Sequence, residues 1–143
     1  MTTKEYLTQI ERFDRIIENK LSEMYQLKTM AYSVSGLNSN EKVQTSFEQD
    51  KIGNAVSKII DLENEINTLI NNTLDKKMHI INQIDSIKNV NMYHVLSSRY
   101  VNRKNFDDIA AEMNYSRMQI NRIHGKALQE FEKNFGNEYL DQK

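Results

Sequence analysis

FDDIAAEMNYSRMQINRIHGKALQEF, residues 106–131, decides how this chain is read. Two helical stretches meet in it with almost no chain between them, the spacing of a helix-turn-helix. Asn105, with Asp108 three residues on, is placed to cap a first helix, Phe106–Met113. Asn114 and Tyr115 form the connection. Where a chain reverses with positive φ, Asn is the usual second choice after Gly. Ser116 then caps a helix running from Arg117 to about Phe135. Ala110, in the middle of the first helix, leaves room for close crossing by the second. Tyr115 is expected to tuck the turn onto the core, and Ile120 and Ile123 to face inward.

The outward neighbours carry the chemistry. From Ser116 to Leu128 there are three cations, Arg117, Arg122 and Lys126, and no acid. In the major groove Arg pairs bidentately with guanine, and Asn or Gln with adenine. Arg117, Met118, Gln119, Asn121 and Arg122 are therefore the candidate base contacts. Ser116 and Lys126, with Arg99, Arg103 and Lys104 from the preceding segment, are the candidate phosphate contacts. The plainer alternative is the solvated polar face of an ordinary three-helix bundle.

Outward from the motif, the pattern is helical throughout. Met92–Val101 reads as one helix with Val95 and Leu96 inward, and the residues ending in Asp141, Gln142 and Lys143 as a frayed end. Lys88–Asn91 breaks the rhythm. Before the break, Ile52, Val56, Ile59, Ile66, Ile70, Leu74, Ile81, Ile84 and Ile87 keep a three-four spacing over about Asp50–Lys88. Earlier still, Thr2 and Glu5 form a capping box. Behind it Leu7, Ile10, Ile17, Leu21 and Met24 mark a helix over Thr3–Tyr32. Residues 33–49 are rich in Ser, Asn and Gln and have no period, so they read as a loop with Val43 and Phe47 as apolar anchors. The expected fold is all-α: a long antiparallel, coiled-coil-like hairpin over residues 1–90, then the helix-turn-helix bundle over 91–143.

Composition agrees with this and excludes much else. The chain has 143 residues, no proline and 4 glycines, too few turn formers for a sandwich or barrel of short strands. It has no cysteine, which removes disulfides, thiolate metal sites and cysteine nucleophiles. The formal charge is −1, so any basic surface is local. His79, His94 and His124 lack zinc-ligand spacing; His124, on the second helix of the motif, reads as a surface residue within reach of phosphate. Asp61, Glu63 and Glu65 read as a solvated face rather than catalytic carboxylates. With no glycine-rich phosphate loop or nucleophile elbow, neither an enzyme nor a cofactor is expected. No apolar run is long enough to span a membrane and the opening residues do not form a signal peptide, so a cytoplasmic location is expected.

The segment Met92–Phe131 resembles region four of bacterial sigma factors. HVLSSRYV (94–101) resembles its Val-Leu…Arg-Tyr pattern, FDDIAAEMNYS (106–116) its first helix and turn, and SRMQINRIHGKALQEF (116–131) its recognition helix. With TKEYLTQIERFD near the start and VQTSFEQDKIGNAVSKIIDLE in the middle, the whole chain resembles small phage proteins of Gram-positive bacteria, the ArpU/RinA-like regulators of late transcription. The resemblance implies that Arg117, Met118, Asn121 and Arg122 read bases and that Lys126 lies near the backbone. Met118 stands where sigma factors carry an acid and Asn121 where they carry arginine, so the target sequence does not transfer.

These readings converge on a sequence-specific double-stranded-DNA-binding transcription regulator, phage or prophage encoded. Its partners would be DNA, a second copy bound through residues 3–88, and host RNA polymerase. A small terminase-like packaging protein, or a module that binds polymerase without DNA, are the alternatives.

Overall fold

The computed structural model describes the backbone of residues 1–40 and 46–142 and the side chains of 1–33 and 49–142. The chain is all-α. It comprises α1 (Thr3–Asn40), α2 (Ser46–Asp85), α3 (Val90–Leu96), a π-helical segment (Ser97–Val101), α4 (Phe106–Met113), α5 (Arg117–Phe135) and a 3₁₀ turn (Gly136–Glu138). Among the described residues no helix is long and apolar enough to cross a membrane.

α1 opens with the Thr2–Glu5 capping box. The Thr2 amide donates to the Glu5 carboxylate at 2.8 Å, and the Glu5 amide to the Thr2 hydroxyl at 3.1 Å. The first of these bonds holds the Glu5 carboxyl below its usual range. The expected loop over 33–49 needs correction: α1 continues to Asn40 and α2 already begins at Ser46. Ser, Asn and Gln cost a helix only about half a kcal/mol each relative to Ala, and no proline stops it. Val43 and the side chain of Phe47 lie outside the described residues.

Residues 1–14 and 75–143 form one packed unit and residues 15–74 another. In the first, α1 and α2 lie antiparallel: Tyr6 donates its hydroxyl to Gln83 at 2.8 Å, and Asp14 pairs with Lys77. Their inner faces share one core with the C-terminal helices. Leu7, Ile10 and Ile84 pack with Leu96, Ala127, Phe131 and Tyr139, all fully buried. The rhythm break at Lys88–Asn91 is thus a turn within one core, and a boundary drawn at 90/91 passes through it. Asn89 makes that turn a helix start, its side chain accepting the Met92 amide at 3.1 Å, so α3 begins at Val90 rather than Met92. The end of the chain is not simply frayed: Tyr139 stacks on Tyr6 with ring centroids 4.2 Å apart and shares a 2.8 Å hydrogen bond with Thr3.

Candidate nucleic-acid interface

A second core cluster, Val95, Ile109, Ala110 and Ile120, fixes α4 against α5. Asn105 caps α4, accepting the Asp108 amide at 2.8 Å. Asn114 ends α4 in the left-handed region, φ 58° and ψ 38°, and the Tyr115 amide returns to the Ala110 carbonyl at 3.0 Å. The small Ala110 side chain is buried at this crossing. Tyr115 does not tuck inward. It is 36% exposed, its hydroxyl accepts from Asn91 at 3.3 Å, and Met113 packs on the cluster below.

α5 turns Ile120, His124, Ala127 and Phe131 inward at spacings of four, three and four. The opposite face presents Met118, Asn121, Arg122, Gly125 and Lys126 to solvent. Nothing lies within 4 Å of where a Gly125 side chain would begin. Arg122 donates to the Met118 sulfur at 3.6 Å, and among the described residues neither Arg122 nor Lys126 has a carboxylate partner. Arg122, Lys126, Gln119, Ile123 and Tyr115 line one open groove of about 280 Å³.

The other candidates hold the scaffold as well as facing solvent. The Ser116 hydroxyl accepts the Gln119 amide at 3.1 Å, and Gln119 Oε1 accepts the Ser116 amide at 2.9 Å. With its oxygen spent on this capping box, Gln119 retains only its NH₂ group, whereas a bidentate contact to adenine needs both. Arg117 donates to Asp107 at 2.7 Å, with its guanidinium 5.6 Å from the Phe106 ring centre. The exposed face is acid-free over Ser116–Leu128, but Asp107 reaches it from α4. Arg99 lies 5.1 Å from the same ring and donates to the Lys104 carbonyl at 3.1 Å, clasping the 102–104 bend. Lys104 pairs with Glu112 at 2.7 Å. Arg103, at φ 56°, is exposed at the rim of a separate 190 Å³ pocket with Thr8 and Glu11. The structure therefore gathers Arg122 and Lys126 in one groove and Arg99 and Arg103 at another pocket, with Arg99 and Arg117 both reaching the Phe106 ring.

His124 is a correction. It is only 9% exposed, its Nε2 lies 2.7 Å from the Tyr100 hydroxyl, and Phe106 meets it edge-on. Burial, reinforced by the charges of Lys4 and Arg99, pulls its pKa down to about 4. A neutral, inward imidazole is not a phosphate contact. The sequence signal was its spacing, four after Ile120 and three before Ala127. Among the described residues no group of three or more His, Asp or Glu side chains is placed to hold a metal ion.

A family model described as protein of unknown function (DUF1492) matches residues 32–132, a span that includes every candidate site residue. No curated protein and no solved structure matches the chain.

Proposed function

The chain belongs to the family described as protein of unknown function (DUF1492), and from the geometry of its helix-turn-helix and its resemblance to sigma region four we propose that it is a sequence-specific, double-stranded-DNA-binding transcription regulator of a phage or prophage. It acts in the cytoplasm of the bacterial cell or infected host, with α5 docked in the major groove. One observation carries the reading. A helix-turn-helix closed by a left-handed Asn114 presents Arg122 and Lys126 on one solvent-facing side of α5, without carboxylate partners among the described residues. Two cations beside Met118 and Asn121 offer both charge for phosphate and hydrogen-bonding groups for base edges. The resemblance of Met92–Phe131 to sigma region four supports the same docking and makes host RNA polymerase a partner.

Base reading falls chiefly to Arg122, Asn121 and Met118. Arg117 joins them after exchanging Asp107 for a base or phosphate, and Gln119 contributes its NH₂ alone. Selection of bound fragments from the source genome tests the proposal. Recovery of one sequence motif at physiological salt is the expected result. Retention of no DNA at low salt would reject it in favour of a module that binds polymerase directly. DNA retained without a common motif, by ring-shaped oligomers, would reject it in favour of a packaging protein.

A further inference from the structure

Residues 15–74 make a unit that does not close its own core. Of its described hydrophobic side chains, only Met24 and Ile59 are buried. Leu21, Met30, Ile60, Leu62 and Leu69 are each more than two-fifths exposed. Two antiparallel helices form a single layer, and an apolar stripe on one layer is stabilised only by a second. Part of the uncovered surface is a groove of about 390 Å³ along the hairpin, floored by Leu27, Met30, Leu62, Ile66 and Leu69 and edged by Lys20, Glu23 and Glu65.

We infer that this groove is the contact surface for a second copy of the same chain, the two hairpins forming a four-helix bundle. Three features favour that occupant. First, the rim carries both signs of charge, which suits a self-complementary contact better than an acidic or a basic partner. Lys20 pairs with Glu23 along α1 at 3.1 Å, and Glu65 edges the groove from α2, so neither sign of charge dominates the rim. Second, both helices contribute apolar side chains to the groove, as the inner face of an up-and-down bundle requires. Third, the area suffices. The stretch Arg15–Ser33, whose side chains are described, is about 28 Å long at 1.5 Å per residue. Two helices with axes roughly 8–10 Å apart present a face about 20 Å wide. The product is about 570 Å², or about 1,100 Å² over the two partners, which clears the roughly 1,000 Å² a specific interface needs. The inference is independent of DNA binding.

The full chain is the material for the test, because a cut at residue 90 uncovers Leu7, Ile10 and Ile84, which the C-terminal helices bury. At tens of micromolar, light scattering of the parent is expected to give twice the chain mass. Leu62→Glu combined with Leu69→Glu is expected to give the chain mass with unchanged helical circular dichroism, since both side chains already meet water in a lone chain. Tyr25→Glu, exposed and outside the groove, is expected to stay dimeric. The chain has no cysteine, so Ile66→Cys gives a second measurement: a short bis-maleimide is expected to bridge two copies there. A monomeric parent, an assembly larger than a dimer, a double variant that remains dimeric, or no bridge through Cys at 66 would each overturn the inference.

Discussion

The hydroxyl of Tyr100 and Nε2 of His124 lie 2.7 Å apart in the seam between the π-helical segment and α5. Burial pushes the Tyr100 hydroxyl up to about 12 and holds His124 neutral, so the bond joins two uncharged rings, its donor set by the imidazole tautomer. One hydrogen bond thus joins the segment before the motif to the inner side of α5. Arg99 and Lys4 add positive charge nearby and oppose protonation further.

Stability should therefore fall on acidification. The unfolded imidazole titrates at about 6.5 and the folded one at about 4. The contribution is fully present above pH 6.5, declines as the unfolded chain takes up the proton first, and is exhausted below about pH 4. Across that window the loss is about 3 kcal/mol. Urea unfolding at pH 7.5 and 4.5 measures it, with His124→Gln as the non-titrating comparison. Equal slopes against pH in parent and variant would remove His124 from the account.

Asp107 and Arg117 form an exposed pair, worth at most about 1 kcal/mol to folding. Asp107→Asn should leave stability nearly unchanged. On the DNA reading it removes a competing carboxylate and frees a cation, so affinity should rise at low salt and the salt slope steepen by about one contact. Fluorescence anisotropy over a salt series gives both quantities, and weaker binding would contradict the expectation.

Arg122 and Lys126 should separate by role. Arg122→Ala is expected to weaken binding to the selected site by about 1–3 kcal/mol and relax one base position. Lys126→Ala is expected to weaken binding to all sequences alike and flatten the salt slope by about one contact. If Arg122→Ala and the parent bind the selected site equally, Arg122 is not a base contact.

Gly125 sits in mid-helix over open space. Gly125→Ala should raise stability by about 0.5–1 kcal/mol, because alanine favours the helix and meets no neighbour. A lowered thermal midpoint would show that the backbone at 125 is strained in a way its surroundings do not display.

Local chemistry made the motif legible in the sequence. Asn105, Asn114 and Ser116 are short polar residues at helix ends, and each has the cap or turn geometry its type suggests. Side-chain engagement was harder to read. Nothing in the order of residues says that Asp107 meets Arg117 ten positions on, or that Arg99 clasps the Lys104 carbonyl. Gln119 was readable, since Ser followed three later by Gln is a capping box, but its outward position suggested a base contact. The start of the π-helical segment at Ser97 escaped the pattern too, because an apolar spacing of three and four hardly distinguishes one wide turn from an ordinary one. The shared core was hidden most deeply: Leu7 and Ile10 show a helical face, but not which partner covers it.

That cover comes late in synthesis. Thr3 and Tyr139, hydrogen-bonded to each other, are 136 positions apart. Part of the cover over the opening turns of α1 therefore waits on a residue made 136 positions later. At about 5–20 residues per second the wait is of the order of ten seconds. Through that interval α2 can cover Leu7 and Ile10 only in part, by way of Ile84, and refolding from denaturant has the same long loop to close.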